Sequence, residues 1–277
     1  MYQRRMCLGL SSQFGISSLK QIDLFQKVGF DGFFSGWKPD GYVSRLKKAA
    51  DEAGMLYPFV HAPFTKMNSM WVPDEKTEEA VGELIQCVRD CSQAGVETAV
   101  LHAFIGFRDH MPTPFGLESF SRVVKEAEKA GVRIAFENTE GMEYLDSLMN
   151  HFKGSKHVGF CWDSGHEMCY NYGQDMLSLY GDRLLATHIN DNLGIRSFDG
   201  EITYLDDLHL LPFDGIIDWK SAGERLKKTA FSGPITFELN TLSKPNRHEN
   251  DAYGKMDILD YLTLAYMRAC RVAYLTL

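Results

Sequence analysis

Short apolar runs alternate along this chain with longer segments whose apolar residues recur every three and four positions. The runs are RMCLGL (5–10), FDGFFS (30–35), MLYPFVH (55–61), ETAVLH (97–102), VRIAFE (132–137), HVGFCWD (157–163), LLATHI (184–189) and PITFEL (234–239). Each has the length of a strand, and all but the first carry β-branched or aromatic residues. Between them, SLKQIDLFQKVG, DGYVSRLKKAADEAG, EKTEEAVGELIQCVRDCSQAG and FGLESFSRVVKEAEKAG carry helical periodicity. Each ends in glycine, the residue that most readily takes the left-handed conformation closing a helix.

Strands apolar enough to be covered on both faces, each followed by a helix, predict a parallel sheet wrapped by helices. Eight such repeats in about 250 residues predict an α/β fold of one kind, a single (β/α)8 TIM barrel. An open doubly wound sheet would place a glycine-rich phosphate loop after an early strand, and the first run is followed instead by SSQFGISS. No linker or low-complexity tract divides the chain, so residues 1–277 are expected to form one barrel domain. The one long connection, 190–217, is a candidate functional loop.

Composition narrows the partners. A net charge of -8 with no block of like charge argues against a polyanion partner. No apolar run approaches the roughly 20 residues of a membrane span, and MYQRRMCLGL lacks a secretory core, so a cytoplasmic protein is expected. Whether it is a homo-oligomer stays open. The cysteines are scattered without a disulfide framework. Cys87 and Cys91, four apart in a helical segment, read as helix packing, since a metal clip needs a second pair.

In a barrel every strand points its C-terminal end at the active face. The third to eighth runs bring His61, His102, Glu137, Asp163, His188 and Glu238 to that face. A lone histidine at a strand end is more often a hydrogen-bonded core residue. Six metal-capable side chains from six successive strands form a different case, because converging Glu137, Asp163 and Glu238 would repel or protonate without a cation between them. Mixed imidazole and carboxylate donors suit zinc, manganese, iron or cobalt better than calcium or magnesium. His166 reaches the same face from the turn after the sixth strand. Asp207 and His209, two apart in the long loop, either hold a second ion or orient the first set.

The stretches VHAPF (60–64), AFENTEG (135–141), FCWDSGH (160–166), THINDN (187–192), DLHLLPFDGIIDW (207–219) and TFELN (236–240) together resemble the xylose isomerase-like barrel superfamily. That superfamily includes sugar and sugar phosphate isomerases and epimerases, and endonucleases of the endonuclease IV type (AP endonuclease family 2). The resemblance implies that Glu137, Asp163, His188 and Glu238 hold one divalent metal, as in epimerases of the tagatose 3-epimerase type, and that His166 and the two glutamates face the sugar. In the endonuclease branch it implies that His61, His102, His166, Asp207 and His209 complete a three-zinc cluster. The chain departs from a common PGxG loop at PFDG (212–215), where Phe213 lacks glycine's freedom at positive φ.

The leading expectation is therefore a metal-dependent isomerase or epimerase of a small sugar, sugar phosphate or polyol derivative. Glu137 and Glu238 would transfer the proton on either side of an enediolate that the ion stabilises. His102 and His166 would steady hydroxyls, and Trp37, after the second strand, would pack an apolar sugar face or else the rim. The alternative is an endonuclease IV-like phosphodiesterase on abasic DNA. Nine potential ligands favour it, and the sparse basic residues of KMNSMW (66–71) and SKPNRHE (243–249) disfavour it. The third reading is a metal-dependent sugar binder without turnover.

Overall fold

The computed structural model describes residues 4–107, 111–195 and 202–277. Eight strands form one sheet: β1 (Met6–Gly9), β2 (Gly32–Gly36), β3 (Val60–His61), β4 (Thr98–His102), β5 (Arg133–Glu137), β6 (Val158–Asp163), β7 (Leu184–His188) and β8 (Ile235–Phe237). Their order is β7-β6-β5-β4-β3-β2-β1-β8, and the neighbours run parallel. A bridge between Ile189 and Phe237 joins the two ends, with the Ile189 N–H donating to the Thr236 carbonyl at 2.7 Å. The result is a TIM barrel.

All eight apolar runs contain a strand. The third is the shortest, because Pro58 has no N–H to give the ladder; only an isolated bridge from Leu56 to Gly32 precedes Val60. The four helical segments become α1 (Ser18–Val28), α2 (Tyr42–Ala53), α3 (Thr77–Ala94) and α4 (Pro114–Ala130). Gly29, Gly54, Gly95 and Gly131 end them at φ between 65° and 110°. Further helices are α5 (Met142–His151), α6 (Ser164–Cys169), α7 (Met176–Tyr180), α8 (Trp219–Lys227) and α9 (Ile258–Leu275). Among the described residues no helix is long and apolar enough to cross a membrane.

Helical spacing decides which residues face the sheet. On α3, Ala80, Val81, Leu84, Cys87, Val88 and Cys91 are buried, so the two cysteines lie on the packed face of the helix. Inside the barrel, Phe34, Phe59, Val100, Ala135, Cys161 and Ala186 form an apolar layer. Phe34 stacks on the ring of His188 at 4.9 Å between centroids, which places this layer directly beneath the polar strand ends.

The connection after β7 is organised around one buried carboxylate. Asp191 Oδ1 accepts from the N–H groups of Asn192 at 2.9 Å and Ile217 at 3.1 Å. Its Oδ2 accepts from the Phe213 N–H at 2.8 Å and the Trp219 indole at 2.9 Å. Asp191 and Leu210 also exchange backbone hydrogen bonds. Phe213 adopts φ 74°, so the left-handed backbone persists where glycine was expected to be needed. That conformation costs about 1–2 kcal/mol for an L-residue. Hydrogen bonds to a charged group contribute about 1.5–3 kcal/mol each, enough to offset it. Gly215 is constrained differently: a Cβ there would lie 2.2 Å from Asp191 Oδ1.

Asp191→Ala should therefore strand all four of these donors, at a cost of roughly 1–3 kcal/mol for each that stays out of water. The expected result is a fall of at least 3 kcal/mol in urea denaturation, with amide exchange accelerated first across 207–219. Unchanged exchange there would remove Asp191 from the centre of the loop.

Candidate metal centre

Strand register brings the ligand-capable residues to one level. His102 pairs with Glu137 across β4 and β5, and Asp163 pairs with His188 across β6 and β7. His61 ends β3 beside Gly36. Asp163 is also the N-cap of α6, its Oδ1 accepting from the His166 N–H at 2.7 Å. A capping aspartate bonds the backbone N–H two or three residues on, which ties the backbone of residue 166 to the carboxylate and so fixes where its imidazole starts from. Asp207 and His209 come in on the loop that Asp191 holds.

The nine residues sort into three groups that share members or touch: His61, His102 and Glu137; Glu137, Asp163, His188 and Glu238; and His166, Asp207 and His209. In the first, His61 Nε2 and His102 Nε2 are 3.2 Å apart, and each lies 3.3 Å from Glu137 Oε2. Zinc–nitrogen bonds of about 2.0–2.1 Å in a tetrahedron imply ligand separations of about 3.3 Å. The triangle has the edge length of three zinc ligands. In the second group His188 Nδ1 lies 2.8 Å from Glu137 Oε1 and 3.3 Å from Glu238 Oε2. In the third, Asp207 Oδ1 is 3.5 Å from His166 Nε2 and Oδ2 is 2.9 Å from His209 Nε2.

Two observations test whether these residues fit a cation. His61 donates its Nδ1–H to the Ala62 carbonyl at 2.8 Å, and His209 donates its own to the Glu238 carbonyl at 3.2 Å. Backbone acceptors of this kind orient metal-binding imidazoles and leave Nε2 as the ligating atom. Glu137 Oε2, His166 Nδ1 and Asp207 Oδ1 are buried without hydrogen-bond partners. Buried polar atoms are expensive to leave unpaired, and each of these belongs to one of the three ligand-capable groups, which fits a divalent ion.

The charges are strongly coupled. Burial would raise the Glu137 carboxyl, but His188, His102 and His166 hold it well below its ordinary range. Asp163, sealed and next to other carboxylates, is pushed up to about 6 by burial. Burial lowers His102. For His166 burial is outweighed by Asp163 and Asp207, which lift the imidazole well above its usual value. For His209 burial is likewise outweighed, and Asp207 lifts it to about 9.

These groups form the floor of a cavity of about 600 Å³, open to solvent on one side. Asp163 and His188 are wholly buried below it, whereas the Glu238 side chain is one-third exposed. Trp37 is not brought there: its indole donates to Asp90 Oδ2 at 2.8 Å, and its ring packs on the outer core. Phe64, Tyr170 and Tyr204 supply the cavity's aromatic walls. Asn190 was not singled out in the sequence. It donates to Asp163 Oδ2 at 2.9 Å and holds that carboxylate in place. The run of polar residues in THINDN, directly after a buried strand, was the available signal.

A (β/α)8 barrel with carboxylates and imidazoles gathered at its strand ends defines the class of protein. The chain belongs to the xylose isomerase-like TIM barrel family, whose model matches residues 22–257. The uncharacterized protein y4fM of Sinorhizobium fredii is 29% identical over 258 residues, covering 78% of this chain and 79% of its own. Among solved structures, the IolI protein with a bound zinc atom superposes with a TM-score of 0.73 at 21% identity, over 97% of this chain and 98% of that one. A D-psicose 3-epimerase of Clostridium cellulolyticum, solved with D-tagatose, gives 0.71 at 17% identity, over 98% and 99%. At these identities the two structures establish the shared fold.

Metal uptake should release protons. Ligation needs neutral imidazole, and a His209 held at about 9 is protonated at pH 7.5 in the metal-free protein. Apparent zinc affinity should therefore climb as pH rises towards 9 and level off above it. Calorimetry in buffers of differing ionisation enthalpy reads the proton count directly, and a count of zero at pH 7.5 would contradict the assigned charges.

Proposed function

We propose that this protein is a divalent-metal-dependent isomerase or epimerase of a small sugar or polyol derivative, with Glu238 as its principal proton-transferring residue. The observation that carries this reading is the asymmetry of the four-residue group. Asp163 and His188 are sealed, and Glu238 alone combines membership of the group with substantial exposure to the cavity. The IolI protein with zinc and the epimerase solved with D-tagatose support the reading at the level of a shared barrel.

A divalent ion held by Glu137, Asp163, His188 and Glu238 would supply positive charge beside the substrate's oxygens and acidify the adjacent C–H. The remaining work falls to the chain. Burial would raise the Glu238 carboxyl, but His188 and His209 keep it below its ordinary value, so it is anionic at neutral pH and able to accept a proton. Glu137 Oε2 is the second candidate for proton transfer, on the side of His61 and His102. With its Nδ1–H bonded to the Ala62 carbonyl, His61 presents Nε2 as an acceptor for a substrate hydroxyl, His102 lies beside it, and Phe64 and Tyr170 line the walls.

Glu238→Gln should keep the fold and part of the metal affinity, because an amide oxygen still ligates but cannot accept the proton. Turnover should fall by about 10²–10⁴, the usual share of general acid-base catalysis. The assay is deuterium incorporation from heavy water, next to the carbonyl, across a panel of ketoses and their phosphates with manganese or cobalt. Labelling by the variant within a few-fold of the wild type would sink the proton-transfer role.

One observation favours a second reading, hydrolysis of a phosphodiester at three ions. The zinc-length triangle of His61, His102 and Glu137 uses Glu137 Oε2, the same atom the epimerase reading needs free. The two readings compete for that oxygen. Zinc content near one per chain with sugar labelling supports the epimerase. Content near three, with chelator-sensitive incision of an abasic duplex that weakens steeply with salt and no sugar labelling, would replace it.

A further inference from the structure

We propose that Lys244 is the residue that recognises an anionic group on the substrate at the cavity mouth, and that Asp207 restrains it until a divalent ion takes that carboxylate. The substrate half of this proposal rests on the sugar reading above; the restraint half rests only on the cluster around Asp207. Among the described residues lining the cavity, Lys244 is the only lysine or arginine, set against the carboxylates of Glu137, Glu140, Asp207 and Glu238. Its Nζ lies 3.7 Å from Asp207 Oδ2 and 5.8 Å from the centre of the Tyr204 ring. The first distance is an ion pair and exceeds a hydrogen bond, so the ammonium is attracted without being committed.

Asn68 on the wall and Arg247 behind it already hold backbone or side-chain partners, although Arg247 keeps Nη2 unbonded. Asn68 both donates to and accepts from the backbone of Ile105. Arg247 donates to the Leu205 carbonyl and to Glu249. Lys244 keeps its three N–H donors free of hydrogen bonds to described residues, with its side chain about one-fifth exposed. A flexible point charge over an aromatic ring, at the rim of a polar pocket, suits a phosphate or a carboxylate.

The layout of charge places that anion on the wall. The three groups set four carboxylates, Glu137, Asp163, Asp207 and Glu238, among five histidines, so the charged side chains of the floor face one another. Lys244 lies outside those groups and lines the same cavity, and is left to meet the charged end of a substrate. Asp207 gives the lysine its other setting. An ion among His166, Asp207 and His209 would draw on the Oδ2 lone pairs and repel the ammonium, releasing it towards the substrate.

The test exploits opposite signs. Lys244→Gln removes a competitor for Asp207, so zinc titrated into metal-free protein should bind its weakest site several-fold more tightly. The same variant, metal-loaded, should bind anions at least five-fold more weakly, read with inorganic phosphate and with acetate as separate probes to decide which chemistry is preferred. Lys244→Arg should restore anion binding to within two-fold, and a neutral ketose should bind all three proteins alike. Unchanged zinc affinity in Lys244→Gln overturns the restraint. Anion binding within two-fold of the wild type, or equal weakening for the neutral ketose, overturns recognition. Opposite shifts for zinc and anion without labelling of any sugar would retain Lys244 and discard the sugar reading.

Discussion

Everything at the active face depends on the burial of Glu137. A carboxylate with no solvent exposure must have its charge balanced locally or lose it. Both of its oxygens are turned towards imidazoles, Oε1 to His188 and His166, Oε2 to His61 and His102. Those four histidines come from β3, β4, β7 and the start of α6, so one charge draws the ends of the barrel wall together. The sealing below is apolar: Phe34 and Phe59 close on His188, which keeps water from screening the cluster. The low dielectric that makes an isolated charge costly is what makes a bound cation strongly favoured there.

Support around the candidate ligands is as ordered as those residues. Asn190 clamps Asp163, the Ala62 and Glu238 carbonyls fix the tautomers of His61 and His209, and Asp191 carries the loop with Asp207. Gly165 belongs to the same device, since a Cβ there would meet Asn190 Oδ1 at 1.8 Å. Such partners set ligand orientation and typically change metal affinity by 10–100-fold when removed. The strained backbone at Phe213 sits in this supporting layer, held by Asp191 and packed on Trp219. It lies one step away from the chemistry.

Glu137 Oε2 is also where the two proposed readings part. In the sugar reading it would be left free for proton transfer, and in the phosphodiester reading it would be shared with His61 and His102 by an ion. On those proposals the number of ions held at the face separates the two. Fold likeness alone carries no such information.

The sequence by itself determined the barrel and the membership of its active face. Period-two and period-3.6 patterns are local, and the C-terminal ends of parallel strands share one side, so His61, His102, Glu137, Asp163, His188 and Glu238 could be placed together before any coordinates. Phe213 shows the limit of that reasoning, because its left-handed backbone is stabilised by Asp191, 22 residues earlier in the chain. Trp37 shows the same limit: its position after β2 suited a sugar platform, and Asp90 on α3, 53 residues away, turned its indole elsewhere. Only the tertiary structure decided how nine ligand-capable side chains divide into three groups, which glutamate meets solvent, and that Lys244 stands opposite Asp207. Those properties depend on ångström-scale separations between distant strands and loops, and no spacing along a chain encodes them.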